Sequence, residues 1–339
     1  MESCTKAKSS FSAVMTTGSI LSAILVIWIH AYNVPTYKAV LTPSIYRLEQ
    51  IVSQGLSRGA VPFFFMSSAY FLYSKNKSVV DIFKSRAKSI VVPYVLWNFV
   101  YMVVSAVLFR LSLMDNGMEA VTVGNVLGGL CAHKYNYSFW FMQYLIVYVA
   151  AYPVIRWIIS RNKAVAAIGF VASVALFWSG IDMLERFAYY YIGAVIGYHY
   201  QQEAENVVLM KKKKVVGITL VLLLLEVALF WMTNVLGIGR LMRIRDLVMA
   251  FLIFFLIVCF DLRVTGKFAA LSFMIYAMHP LVLEMVEAGI ALLVPYTSLG
   301  MLLNYILAPV ICLAIVVMVC VVWKKVLPSV YKVFNGGRL

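Results

Sequence analysis

Apolar runs of membrane length recur along this chain, separated by short clusters of lysine and arginine, and that alternation leaves few folds open. A helix needs about 20 apolar residues to cross a bilayer. Lipid offers no partner to an unpaired backbone group, so such runs must be helical. Ten segments read as spans: 13–33, 57–74, 89–110, 139–156, 164–180, 187–201, 214–236, 245–261, 268–293 and 300–323. The expected fold is all-α, a polytopic membrane protein with about ten transmembrane helices. Composition agrees, with 63% hydrophobic and 13% charged residues, against about 25% charged in soluble domains. The short, glycine-rich run 119–132 reads as an interfacial or re-entrant piece of a long loop.

A net charge of +15 would ordinarily suggest nucleic acid. Here the basic residues lie between apolar runs and form no single soluble face, so they read as topology signals and no nucleic-acid partner is expected. With the N-terminus in the cytoplasm, twenty of the 29 basic residues fall inside and nine outside. Both termini are therefore expected to be cytoplasmic. Residues 1–12 form an N-terminal tail, 13–325 the membrane domain and 326–339 a C-terminal tail. Arg240, Arg243 and Arg245 run against the rule. Either their loop binds an anion or a helix nearby is misplaced. The start of the chain lacks a signal-cleavage pattern, and no repeat relates its two halves. The five cysteines show neither metal spacing nor a disulfide framework, so no metal site is expected.

Titratable groups inside such segments are the first candidates for chemistry, since a charged one costs about 2.5–3.5 kcal/mol at mid-depth. His30 lies near the far end of the first span, in ILSAILVIWIHAYN, eleven residues after Ser19. That spacing is three helical turns, about 16 Å, on nearly one face. The second span, RGAVPFFFMSSAYF, carries Arg58 at its mouth and Ser67, Ser68 and Tyr70 within. Serines there can simply bond their own helix. The stretch KSRAKSIVVPYVLW places Arg86 and Lys88 at the inner face, where they suit lipid headgroups or the phosphates of a nucleotide. Tyr144, Tyr148 and Tyr152 form an i, i+4, i+8 stripe that suits a sugar site or helix packing. In LSFMIYAMHP, Ser272, Tyr276 and His279 share a face, and Pro280 frees a carbonyl beside the histidine. Glu226, Glu284 and Glu287 are intramembrane carboxylates that suit a cation path or arginine partners. His133 and His199 read as peripheral.

Taken in order, VIWIHAYN, RGAVPFFFMSSAYF, RAKSIVVPYVLW, FWFMQYLIVYVAAYP, YYYIGAVIGYHY with Gly193 and Gly197, and LSFMIYAMHPLVL resemble acyltransferase family 3 over residues 20 to 325. This family of membrane proteins includes bacterial surface-polysaccharide O-acetyltransferases. The resemblance implies an enzyme of the inner (plasma) membrane, an O-acyltransferase that moves an acyl group, usually acetyl, from cytosolic acetyl-CoA to a hydroxyl of a cell-surface glycan or its lipid-linked precursor. The expected partners are acyl-CoA as donor substrate, the glycan acceptor and membrane lipids, with no bound cofactor. His30 matches the family's essential histidine. A basic residue eleven positions earlier is replaced by Ser19, and a small glycine of the second motif by Ala69. A hydroxyl nucleophile needs a base that works near neutral pH, which histidine provides. His30 is thus the expected catalytic residue, acting as base or as acyl carrier. Arg58, Ser68, Tyr276 and His279 are expected to line the transfer site, and Arg86 and Lys88 to hold the acyl-CoA. The alternative is a transporter or exporter of a small polar solute or glycan, supported by the three glutamates and by the missing basic residue at Ser19. A membrane module that binds acyl groups without turnover is a third, weaker option.

Overall fold

The structure, a computed structural model, describes residues 2–32, 38–75, 77–113, 117–264 and 266–338. Met1, Asn33 and Leu339, which end the expected tail, first span and C-terminal segment, lie outside these. Sixteen α-helices are used below, in chain order. They are α1 (Glu2–His30), α2 (Pro43–Gln54), α3 (Ala60–Tyr73), α4 (Val79–Arg86), α5 (Val92–Arg110), α6 (Val123–Cys131), α7 (Trp140–Ala150), α8 (Tyr152–Arg161), α9 (Lys163–Ala175) and α10 (Asp182–His199). The others are α11 (Gln201–Val207), α12 (Lys212–Asn234), α13 (Met242–Cys259), α14 (Ser272–Ala291), α15 (Ser298–Val326) and α16 (Pro328–Phe334). Among the described residues there is no strand.

The all-α expectation holds, but ten long spans do not form. Five helical segments are long and apolar enough to cross a membrane: Ala7–His30, Val79–Arg110, Lys212–Asn234, Ser272–Ala291 and Ser298–Val326. A sixth exists if Tyr137–Ala150 and Tyr152–Arg161, bent by 58°, count as one span. The other expected spans are helical but short or charged. The 14-residue α3 is about 21 Å long, and α9 has 13 residues. The first turns of α10 carry Asp182, Glu185 and Arg186, and those of α13 carry Arg243, Arg245 and Asp246. The bend has a local cause, because Pro153 has no N–H to continue the ladder of α7.

Packing explains how short helices persist. α1 runs through the molecule against α3, α13 and α14. The tightest pair is α3 and α10, which approach at Gly193. A Cβ there would stand 2.2 Å from the carbonyl oxygen of Met66, so only glycine allows this separation. That approach buries Phe65, Tyr73, Tyr148, Tyr190 and Tyr152 in the main core. The phenol stripe expected in the fourth span is broken by the bend. Tyr144 Oη donates to Asp182 Oδ2 at 3.2 Å, and Tyr148 Oη donates to the carbonyl of Met183. The two expected tails are helical as well. Residues 2–12 are the first turns of α1, and the C-terminal segment folds as α16 and a turn.

Candidate active site

His30 ends α1 and meets His279 of α14, with ring centroids 5.2 Å apart and planes tilted by 31°. The edge of Tyr137 packs on the same His30 ring at 5.0 Å. Two histidines 249 residues apart in sequence therefore share one site, while His133 and His199 lie elsewhere. His199 Nε2 bonds the Ile159 carbonyl at 2.7 Å.

The orientation of His279 follows from Pro280. Proline lacks the N–H that would close the helical bond to Tyr276 O. His279 Nδ1 donates to that freed carbonyl at 2.7 Å. A carbonyl only accepts, so Nδ1 carries the proton, and the neutral ring presents its lone pair at Nε2. Nε2 is buried and has no protein partner among the described residues. The next turn is opened too. Tyr101 Oη donates to Ala277 O at 3.0 Å and accepts from Leu281 N–H at 3.3 Å. In lipid each of these backbone groups needs a partner, and side chains of the site supply them.

A cavity of about 230 Å³ is lined by Tyr276 but by neither histidine, and the Tyr276 ring, 6.0 Å from that of His279, stands between the cavity and the pair. Tyr276 stacks on Phe139 at 5.6 Å and donates to Ser138 O at 2.7 Å. Ser19, Ser67, Ser68 and Ser272 also line this cavity, with Arg86 and Arg338. Ser19 Oγ donates to Met15 O at 2.9 Å and Ser67 Oγ to Phe64 O at 3.1 Å, so both hydroxyls are spent on their own helices. Arg86 stands where α4 passes through a π turn, Ala87–Val91, into α5. Such turns often mark functional positions. A second cavity of about 320 Å³, lined by Phe11, Phe63, Phe251 and Phe254, is almost wholly apolar. It offers no converging groups for acid–base work.

Of the expected site residues, the structure brings together His30 and His279, with Tyr276 beside them, and Ser68 and Arg86 in the cavity that Tyr276 lines. Two are placed elsewhere. Lys88 is exposed and outside the cavity lining. Arg58 pairs through Nε and Nη2 with Asp246, at 2.7 and 2.9 Å. It belongs to a balanced network in which Arg243 Nε donates to Glu185 at 2.8 Å, Arg186 pairs with Asp182, and Arg245 lies 3.4 Å from Glu226. That balance accounts for two of the three arginines that broke the charge rule at 240–245, since Arg243 and Arg245 are matched by acids. Tyr137 and Arg338 are the members that sequence reasoning missed. The only signals were an aromatic after a long loop and the Gly-Gly-Arg run at 336–338.

No curated protein and no solved structure matches the chain. The profile of the acyltransferase domain family matches residues 20–323, from ten residues before His30 to the last turn of α15. The paired histidines, the cavity that Tyr276 lines and that match over nearly the whole length agree, and the chain belongs to the acyltransferase family 3.

Proposed function

We propose that this protein is a multi-pass inner-membrane O-acyltransferase with both termini in the cytoplasm. It moves an acyl group, acetyl in the simplest case, from cytosolic acyl-CoA to a hydroxyl of a cell-surface glycan or its lipid-linked precursor. The observation that carries this reading is the His30–His279 pair, linked through Tyr276 to a cavity whose lining includes two arginines. An N–H···N bond of about 2.9 Å between imidazoles sets their ring centres about 5 Å apart. Among the described residues His279 Nε2 takes no partner, and with the ring centres 5.2 Å apart a small turn of His30 brings its N–H onto that nitrogen's lone pair. The other nitrogen of His30 is then the base. It takes the acceptor's hydroxyl proton as the oxygen attacks the thioester carbonyl, the C–O bond forms, the C–S bond breaks, and the proton passes to the departing thiolate. His279 orients His30 and spreads the charge that His30 gains. Tyr137, on the His30 ring, limits access from the loop side. Arg86 holds donor phosphate at the other end of the cavity.

The transport reading keeps Glu284 and Glu287 but loses Glu226, which faces Arg245. The deciding experiment compares the acyl content of surface glycans in cells carrying wild-type protein or His30→Ala at equal membrane levels. Mass spectrometry should show the acyl mass lost in the variant. Retained acylation would remove His30 from catalysis, and solute uptake by vesicles without acyl transfer would favour transport.

A further inference from the structure

The C-terminal segment has no task in acyl transfer as described so far, yet it is built into the molecule. Tyr331 is fully buried, Trp97 Nε1 donates to Phe334 O at 3.2 Å, and Asn335 Nδ2 donates to Ala270 O at 3.1 Å. Gly336 and Gly337 then adopt φ of +63° and +82°, a left-handed turn that glycine takes without strain. The turn sends the chain back toward α5 and delivers Arg338 to the cavity that Arg86 lines.

Arg338 is anchored there by a backbone defect. Pro93 has no N–H to return to Ser89, and Arg338 Nη1 donates to Ser89 O at 3.4 Å and to Asn335 O at 2.9 Å. Its guanidinium lies over Phe273 at 4.9 Å, a cation–π contact. Both bonds come from Nη1, and the remaining N–H groups keep the fork that suits phosphate.

The two arginines also differ from the others of the buried network. Arg58, Arg186, Arg243 and Arg245 each have an acidic neighbour within 4 Å. Arg86 and Arg338 have none among the described residues, and they share one cavity. Burial, and after it the charge of Arg86, brings Arg338 down to about 10. Burial, then Lys77, Arg86 and Lys8, lowers nearby Lys75 below the ordinary lysine value. Among the described residues, positive charge without an acidic partner collects at this end of the cavity.

We propose that Arg338, carried in by the C-terminal turn, joins Arg86 in binding the diphosphate of a nucleotide-borne acyl donor. This rests on the donor reading above and adds that the chain's end completes the donor site. It supplies the second cation to a cavity in which Ser19 offers only a hydroxyl.

The test is calorimetric titration of full-length protein in phosphatidylcholine nanodiscs with coenzyme A, dephospho-coenzyme A or pantetheine. Wild type should bind the first two and hold pantetheine more weakly. Arg338→Ala should weaken both nucleotide forms about tenfold or more, the usual effect of losing a charge-assisted bond, and leave pantetheine unchanged. Arg338→Lys should recover part of the loss. Equal binding by wild type and Arg338→Ala would overturn the proposal while leaving the donor reading intact. A loss confined to coenzyme A would assign Arg338 to the 3′-phosphate and overturn the diphosphate assignment. An equal loss for pantetheine would mark a damaged fold, again overturning it. If wild type binds none of the three, the donor reading fails and this proposal with it. Should Arg338→Ala not fold, Arg338→Gln and Arg338→Lys carry the same comparison.

Discussion

Replacing Pro280 by alanine should strengthen the fold and weaken the enzyme. Alanine restores an N–H aimed at Tyr276 O, the acceptor that His279 Nδ1 occupies at 2.7 Å. A proline inside a helix is disfavoured by about 3 kcal/mol relative to alanine. Much of that is already offset here, because His279 satisfies one freed carbonyl and Tyr101 bridges the next pair. The expected net gain is therefore about 1 kcal/mol, read as a raised unfolding midpoint in detergent. His279 meanwhile loses the bond that fixes its proton on Nδ1. A neutral hydrogen bond contributes about 0.5–1.5 kcal/mol, so weakened orientation of His30 should lower kcat roughly threefold to tenfold. The assay is transfer of radiolabelled acetyl from acetyl-CoA to isolated acceptor glycan. His279→Asn is the control, because its amide can donate to Tyr276 O but offers no acceptor at the position of Nε2. It should keep most of the stability and lose more activity than Pro280→Ala. A raised midpoint with unchanged kcat would refute the orienting role. A fall in both would show that the proline matters for packing.

Other outcomes follow from the same contacts. Gly193→Ala places a Cβ 2.2 Å from Met66 O, so α3 and α10 must part by about 1 Å to reach ordinary contact. It should destabilise by about 1–3 kcal/mol, and activity should fall because α3 carries Ser67 and Ser68 into the cavity. Arg58→Ala leaves Asp246 buried without its two-bond partner and should cost roughly 3 kcal/mol, at the lower end for a buried pair because Arg58 is 21% exposed. The double variant Arg58→Met with Asp246→Leu should recover most of that loss in thermal unfolding. Glu226→Gln should lower the unfolding midpoint through Arg245 and leave acetyl transfer within a factor of about two. A tenfold loss of transfer at unchanged stability would return Glu226 to the chemistry.

How much was legible in the sequence depends on the range of each interaction. Tyr276 and His279 could be placed on one face because helical periodicity is local, and His30 was conspicuous as a titratable group in an apolar run. The partnership of Arg58 with Asp246 spans 188 residues and leaves no local signal. A sequence reading therefore treated Arg58 as available when its fork is already filled. The expected ten spans fail for a related reason. Hydropathy registers burial without distinguishing lipid from protein, and α3, α10 and α13 draw much of their apolar environment from neighbouring helices, while α9 is short and mostly exposed. The clue was in the charges. Asp182, Glu185 and Arg186, followed by Arg243, Arg245 and Asp246, have the composition of a self-neutralising cluster.

Pro280 and Pro93 set the same constraint in different helices. Each removes one N–H from a helix wall and leaves a carbonyl that apolar surroundings cannot satisfy. At Tyr276 the carbonyl is taken by an imidazole, and at Ser89 by a guanidinium. The bond that completes the backbone is therefore also the bond that orients the side chain. Folding and orientation can then be pulled apart most directly from the proline side. Substituting His279 or Arg338 by a residue that cannot donate removes the functional group and exposes a bare carbonyl at once, so activity and stability both fall. Substituting the proline repairs the backbone and releases the side chain, so the two should move in opposite directions. For Pro93→Ala, the restored N–H competes with Arg338 for Ser89 O. Binding of coenzyme A should weaken while the unfolding midpoint holds or rises. A variant that lost both would show that Pro93 shapes the π turn for packing alone.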